Sequence, residues 1–216
     1  MNKKILASTM AVALAAIGAT STASAALATD ALMGIDAGVA GGNYGFIVSG
    51  SYFAMDNNGS GDFTANERVG LTPGTDGGIT LGAAQAAGAI DQTWVFFNNN
   101  GNHRTSAGLT VAADDGAGNA TLDMSGWRVF WNNVEINMGT GAAATVTCGN
   151  TCEVGDTYVL DYSAIVPDDG TTNFGNVGYA LHLEGTVSAV PVPAAVWLFG
   201  SGLVGLAGIA RRRKTA

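Results

Sequence analysis

Tyr158-Val159-Leu160-Asp161-Tyr162-Ser163-Ala164 alternates in polarity at a period of two. That period belongs to a half-buried β-strand, whose successive side chains point to opposite faces. Gly178-Tyr179-Ala180-Leu181-His182-Leu183-Glu184 repeats the pattern, with Tyr179, Leu181 and Leu183 on one face and His182 and Glu184 on the other. Trp127-Arg128-Val129-Phe130-Trp131 places Trp127, Val129 and Trp131 together. Weaker strand signals cover Tyr44–Ala54, Gln92–Phe97, Leu109–Ala113, Ala120–Met124, Val134–Met138 and Ala143–Thr147. Gly185 to Ala189 reads as the end of the last strand running into a linker.

Between these runs stand turn signals: Asn99-Asn100-Gly101-Asn102, Asp114-Asp115-Gly116, Asn132-Asn133 and Pro167-Asp168-Asp169-Gly170. Gly, Asn and Asp tolerate the left-handed backbone that tight turns demand. Long helical periodicity is absent, and Leu81 to Ala89 fits either a short helix or a loop. Many short strands joined by such turns predict an all-β domain, a β-sandwich or jelly-roll-like fold.

The two ends of the chain carry different signals. Met1-Asn2-Lys3-Lys4 is a cationic start, Ile5 to Ile17 is apolar apart from Ser8 and Thr9, and Ala23-Ser24-Ala25 has the small-x-small pattern of a cleavage site. Together they predict a Sec-type signal peptide over residues 1–25, cut after Ala25. At the other end, Val190-Pro191-Val192-Pro193 leads into seventeen uncharged residues, Ala194 to Ala210. Arg211, Arg212, Arg213 and Lys214 follow directly. A helix of that length spans about 25 Å, slightly short of a hydrocarbon core of roughly 30 Å. The four cations fit a cytoplasmic stop by the positive-inside bias. An ordinary tail anchor is the plain alternative.

The order of Pro-containing motif, short apolar helix and arginine run resembles the PEP-CTERM sorting signal of Gram-negative bacteria. The resemblance covers Val190 to Ala216, with Val190, Pro191, Pro193 and Ala194 in the V-P-x-P-A variant, followed by Trp197-Leu198-Phe199-Gly200-Ser201-Gly202. Val192 stands where the name-giving motif has Glu. The resemblance implies recognition and removal of the tail by an exosortase. It also implies a setting of exopolysaccharide production and biofilm or floc matrix. The expected organisation is a signal peptide (1–25), an exported β-domain (26–188) and a sorting signal (189–216). That signal holds a transmembrane helix (194–210) and a basic tail (211–214).

Removing both ends changes the charge of what remains. Only Arg68, Arg104 and Arg128 of the nine cations stay, against all seventeen acids, a net charge of −14. Nucleic-acid binding, which needs a cationic face, is excluded as a function class on this ground. An acidic surface instead attracts cations such as Ca²⁺.

Asp56 to Glu67 reads D-N-N-G-S-G-D-F-T-A-N-E and aligns with a twelve-residue EF-hand loop. Positions one, three and five are Asp56, Asn58 and Ser60, and position six is Gly61. Position seven is Asp62, offering its carbonyl, position nine is Thr64, and position twelve is Glu67. Ca²⁺ takes six to eight oxygens, and this alternation supplies them. The residues before the loop read as a strand, unlike a true EF-hand. Two side-chain carboxylates predict weak affinity, roughly 10⁻⁴–10⁻³ M. Thr64-x-x-Glu67 is also a capping-box pattern, predicting a short helix before Pro73. The bland alternative is an Asn/Gly loop that matches by composition.

Cys148 and Cys152, in an exported chain, predict a disulfide closing a very short loop. A Zn²⁺ site would need further Cys or His nearby, and His103 and His182 are distant in sequence. No G-x-S-x-G elbow occurs. Trp94, Trp127, Trp131, Tyr158, Tyr162 and Tyr179 are read as core, with a sugar platform as the alternative.

These readings predict a non-enzymatic, exosortase-processed surface or matrix protein stiffened by Ca²⁺. Its expected partners are the Sec machinery, an exosortase, the inner membrane before processing, and exopolysaccharide. The alternative is a carbohydrate-binding module or polysaccharide-acting enzyme of the same matrix.

Overall fold

The computed structural model describes residues 26–42 and 44–190. The expected signal peptide with Ala23 and Ala25 lies outside those residues. So do Pro191, Pro193, Trp197, Arg211, Arg212, Arg213 and the expected helix 194–210. Val190 is described, and is exposed just past the last strand. Among the described residues no helix is long and apolar enough to cross a membrane.

The described chain is all-β. In order the strands are β1 (Leu32–Gly34), β2 (Val39–Gly41), β3 (Phe46–Ser49), β4 (Tyr52–Met55) and β5 (Arg68–Gly70). Then come β6 (Gly78–Thr80), β7 (Trp94–Phe96), β8 (Asn99–Thr105), β9 (Thr110–Asp114) and β10 (Asn119–Asp123). The last are β11 (Trp127–Trp131), β12 (Val134–Asn137), β13 (Ala144–Cys148), β14 (Thr157–Ile165) and β15 (Gly178–Ser188). A single 3₁₀ turn, Ala65–Glu67, precedes β5. All pairings between these strands are antiparallel.

The fold is sandwich-like. A nine-stranded sheet runs β5-β4-β15-β14-β13-β10-β9, with β1 also pairing β15 and β6 pairing β1. A four-stranded sheet, β12-β11-β8-β7, lies against it, and β2-β3 forms a separate ribbon. β15 is the spine of the larger sheet. Its alternating burial puts Tyr179, Leu181, Leu183 and Val187 inward. Each inward side chain stabilises the fold by about 1.5–3 kcal/mol relative to exposure. β15 pairs β14 along its length, and on its other edge β4 and then β1. At the gap between those two, Glu184 offers its backbone to a neighbour with no strand of its own. The buried Ser51 bridges the gap, its Oγ donating to Glu184 O (3.0 Å) and accepting from Glu184 N–H (2.9 Å), while Asp36 N–H donates to the same Glu184 O (2.7 Å). The core aromatics come from both sheets: Phe53 of β4 packs on Trp94 of β7 with ring centroids 4.4 Å apart.

Three expectations about elements need correction. Tyr44–Ala54 is not one strand: Gly50, with φ of +72°, breaks it into β3 of the ribbon and β4 of the large sheet. A Cβ at position 50 would meet Ala37 O at 2.3 Å, so the crossing needs glycine. Asn99–Asn102 is not a turn but the start of β8. The turn is Phe97-Asn98, both at positive φ (47° and 59°), joining Phe96 and Asn99 as a two-residue hairpin. The capping-box segment gives only the 3₁₀ turn, because β5 begins at Arg68 and takes the chain into the sheet. Leu81–Ala89 forms turns rather than a helix. The Asn132-Asn133 hairpin, both residues at positive φ, stands as expected between β11 and β12.

Candidate functional site

Three groupings of side chains are candidate sites. The first is the Asp56–Glu67 loop, which connects neighbouring strands β4 and β5. Its start is pinned to β15 by Asp56 N–H donating to Gly178 O (2.9 Å). The Asp56 carboxylate accepts from Ser60 N–H (2.9 Å) and Gly61 N–H (2.9 Å). Asn58 Oδ1 accepts from the same Ser60 N–H at 2.7 Å, so the side-chain oxygens of positions one and three flank one donor. Asp62 O lies 3.4 Å from Ser60 Oγ, bringing the oxygens of positions five and seven together. Gly61 sits at φ +81°, the sharp turn the loop needs. Glu67 is buried, and its Oε2 accepts from Thr64 N–H (2.9 Å) and Thr64 Oγ1 (2.8 Å). Its Oε1 is buried with no hydrogen-bond partner among the described residues. No group of three or more His, Cys, Asp or Glu able to hold a metal occurs among the described residues. The loop's oxygens come instead from Asn, Ser, Thr and carbonyls as well as two carboxylates.

The second grouping lies in the core and was not legible in the sequence. Asp91, His103 and Tyr179 are at most 1 % exposed. Asp91 Oδ1 accepts from His103 N–H (2.8 Å), and Asp91 Oδ2 accepts from Trp94 Nε1–H (3.1 Å). Oδ2 also faces His103 Nδ1 at 2.5 Å. The other ring nitrogen, His103 Nε2, lies 3.0 Å from Tyr179 Oη, which accepts from Trp127 Nε1–H (3.2 Å). Counting donors fixes the protons. The tautomer with hydrogen on Nδ1 lets the ring donate to Asp91, accept from Tyr179 O–H, and leave the phenol oxygen free for Trp127. Every polar atom of these four side chains then has a partner. Burial raises the Tyr179 phenol well above its ordinary pKa, with the Asp91 charge adding to the shift. The arrangement has the order of an acid–base relay but no path to solvent, and it serves as a polar rivet between the sheets.

The third grouping crosses the outer face of the large sheet. Tyr52, His182, Asp161, Thr145 and Thr121 are directly opposite one another on β4, β15, β14, β13 and β10. Arg68 of β5 extends the row, its guanidinium 4.4 Å from the Tyr52 ring centroid. Tyr52 stacks on His182 (4.9 Å), and His182 lies between Asp161 (2.7 Å) and Glu184 (3.1 Å). Six strands at about 4.8 Å spacing make this row about 24 Å long. Partial burial raises the Tyr52 phenol, opposed by Arg68 and reinforced by Asp161 and Glu184. Small residues form the floor beside the row. Tyr52, Phe63, Arg68, Ser163, Ala180 and Thr145 line a groove of about 460 Å³.

The disulfide expectation is met: Cys148 and Cys152 are bonded, with Cα atoms 5.2 Å apart at the end of β13. The core reading of the aromatics is met too. Trp94, Trp127, Tyr158, Tyr162 and Tyr179 are buried, and Trp131 is half-buried with Nε1–H donating to Phe96 O (3.0 Å). Tyr52 and Arg68 were missed as a surface pair because strand pairing brings Arg68 over the Tyr52 ring and Tyr52 onto His182 of β15. Compared with family models, curated proteins and solved structures, the chain matches none.

Proposed function

We propose that this chain is an exported structural protein of the cell surface or extracellular matrix, processed by an exosortase. The observation that carries the reading is the pairing of a signal-type leader with a Pro–apolar–Arg tail around one strongly acidic domain. The described domain between them is, in this reading, a jelly-roll-like sandwich that acts after both ends are gone. The sealed Asp91–His103–Tyr179 rivet supports a structural rather than catalytic role, since its groups have no access to substrate. Intact mass of the released protein tests it. A species beginning at Ala26 and lacking the residues beyond about Ser188 is expected. A released or membrane-bound species that retains Arg211–Arg213 overturns the processing.

A second reading, binding of matrix polysaccharide, is favoured by the row on the outer sheet face. Asp161, with its side chain 63 % exposed, and the Ser163 and Thr145 hydroxyls offer hydrogen bonds to sugar hydroxyls along a groove. A glycan array on the protein with Tyr52→Ala and Asp161→Ala variants separates the readings. Specific binding weakened at least tenfold in both variants establishes it, and no binding by the parent protein removes it. Trp94→Ala is a poor probe because Trp94 is core.

A further inference from the structure

We infer that the β4–β5 connection is a Ca²⁺ site, with Asp56, Asn58, Ser60, the Asp62 carbonyl, Thr64 and Glu67 around one ion. The sequence supplies the spacing, but the structure supplies the stronger reason, which is Glu67. A carboxylate is costly to bury unless a cation or a full set of donors meets it. Glu67 is 2 % exposed, yet no salt bridge reaches it among the described residues. Arg68, next in the chain, turns away. Its Nη1 and Nη2 donate to Ile47 O (3.5 Å) and Phe63 O (3.4 Å), and its guanidinium lies over Tyr52. The two bonds from Thr64 hold Glu67 Oε2 against position nine of the loop. The geminal Oε1, on the same carboxyl group, is the atom left without a partner. A divalent cation bound by both oxygens answers that deficit.

The remaining donors are arranged compatibly. Each Asp56 oxygen has one lone pair engaged by a loop N–H and another free. The donors are hard oxygens in an adaptable loop of Asn, Ser and Gly, which suits Ca²⁺ better than the stricter octahedral demand of Mg²⁺. The flanking elements are strands rather than helices. Asp56 follows the last residue of β4 and Glu67 precedes the first of β5, so the ion ties edge strand β5 to its neighbour. Phe63, at position eight, packs over Gly178 of β15, where a Cβ would stand 3.4 Å from its ring. The loop is thus seated on the sheet before any ion arrives. The site holds whether or not the exported domain binds polysaccharide.

Calorimetric titration and thermal melting of the detergent-purified full chain with CaCl₂ and MgCl₂ test this. Ca²⁺ up to about 10 mM is expected to bind one per chain with Kd of roughly 10⁻⁴–10⁻³ M and to raise Tm saturably. Mg²⁺ at the same concentration is expected to do so at least tenfold more weakly. Asp56→Asn and Glu67→Gln should each remove the rise. Asn58→Ala changes an exposed side chain of the loop and should weaken binding at least tenfold. An unchanged parent Tm in Ca²⁺ overturns the site, as does an equal rise in Asp56→Asn or Asn58→Ala.

Discussion

Trp127 Nε1 donates to Tyr179 Oη at 3.2 Å, and this bond joins β11 of the small sheet to β15 of the large one. Tyr179 in turn reaches His103 Nε2 at 3.0 Å, so one phenol oxygen closes a chain of bonds running to Asp91. Inside a low-dielectric core such a chain is stabilising only when complete.

Tyr179→Phe should therefore cost more than one average hydrogen bond. It keeps the ring but leaves the Trp127 N–H and His103 Nε2 buried without partners. A loss of about 2–4 kcal/mol is expected, read as a lower urea midpoint at unchanged slope. A loss below about 0.5 kcal/mol would show that the rivet is not a stabilising network.

Asp91→Asn probes the other end. The carboxylate accepts three N–H groups, from Trp94 Nε1, His103 N and His103 Nδ1. An amide brings one acceptor oxygen and a donor that opposes another donor. The expected destabilisation is about 3 kcal/mol, since the bonds lost are charge-assisted. Chemical denaturation beside Asp115→Asn, an exposed turn position, supplies the comparison.

Alkaline pH should unfold the protein cooperatively. Burial raises the phenols of Tyr158 and Tyr179 above their ordinary value of 10.0. A raised folded-state pKa means stability is intact below pH ~10, where the unfolded phenols are also neutral. It is lost as pH rises above that, because only the unfolded state ionises. Tyrosinate absorbance and circular dichroism followed together from pH 8 to 12 should show late ionisation coincident with loss of the β signal. Ionisation of all five tyrosines with the β signal intact would contradict this.

Reduction of the disulfide should cost little. Cys148 and Cys152 are four positions apart, so the closed loop restrains few unfolded conformations. The chain-entropy relation gives about 2 kcal/mol for a loop this short. The paired Cys148→Ser and Cys152→Ser variant should fold, with its free energy of unfolding lowered by about that amount. Failure to fold at room temperature would assign the bridge a larger role.

The sequence by itself determined the local matters. A period of two is visible wherever one strand face is dry and the other wet, so β14, β15 and β11 were readable almost to their ends. The Asn132-Asn133 turn and the Cys148–Cys152 loop were readable because neighbouring residues decide them. Short strands such as β1, β2, β5 and β6 were not, since three residues carry no period and owe their conformation to a partner strand. The same limit hid β8, whose Asn and Gly residues resemble a turn until β11 supplies their hydrogen bonds. The candidate sites divide likewise. The loop of Asp56 to Glu67 is a local string, but the buried, unpartnered oxygen of Glu67 exists only once the sheet closes over it. Asp91, His103 and Tyr179, and the row from Arg68 to Thr121, were decided by tertiary structure alone. Strand pairing, a long-range choice made by the whole hydrophobic pattern, brings their side chains within bonding distance.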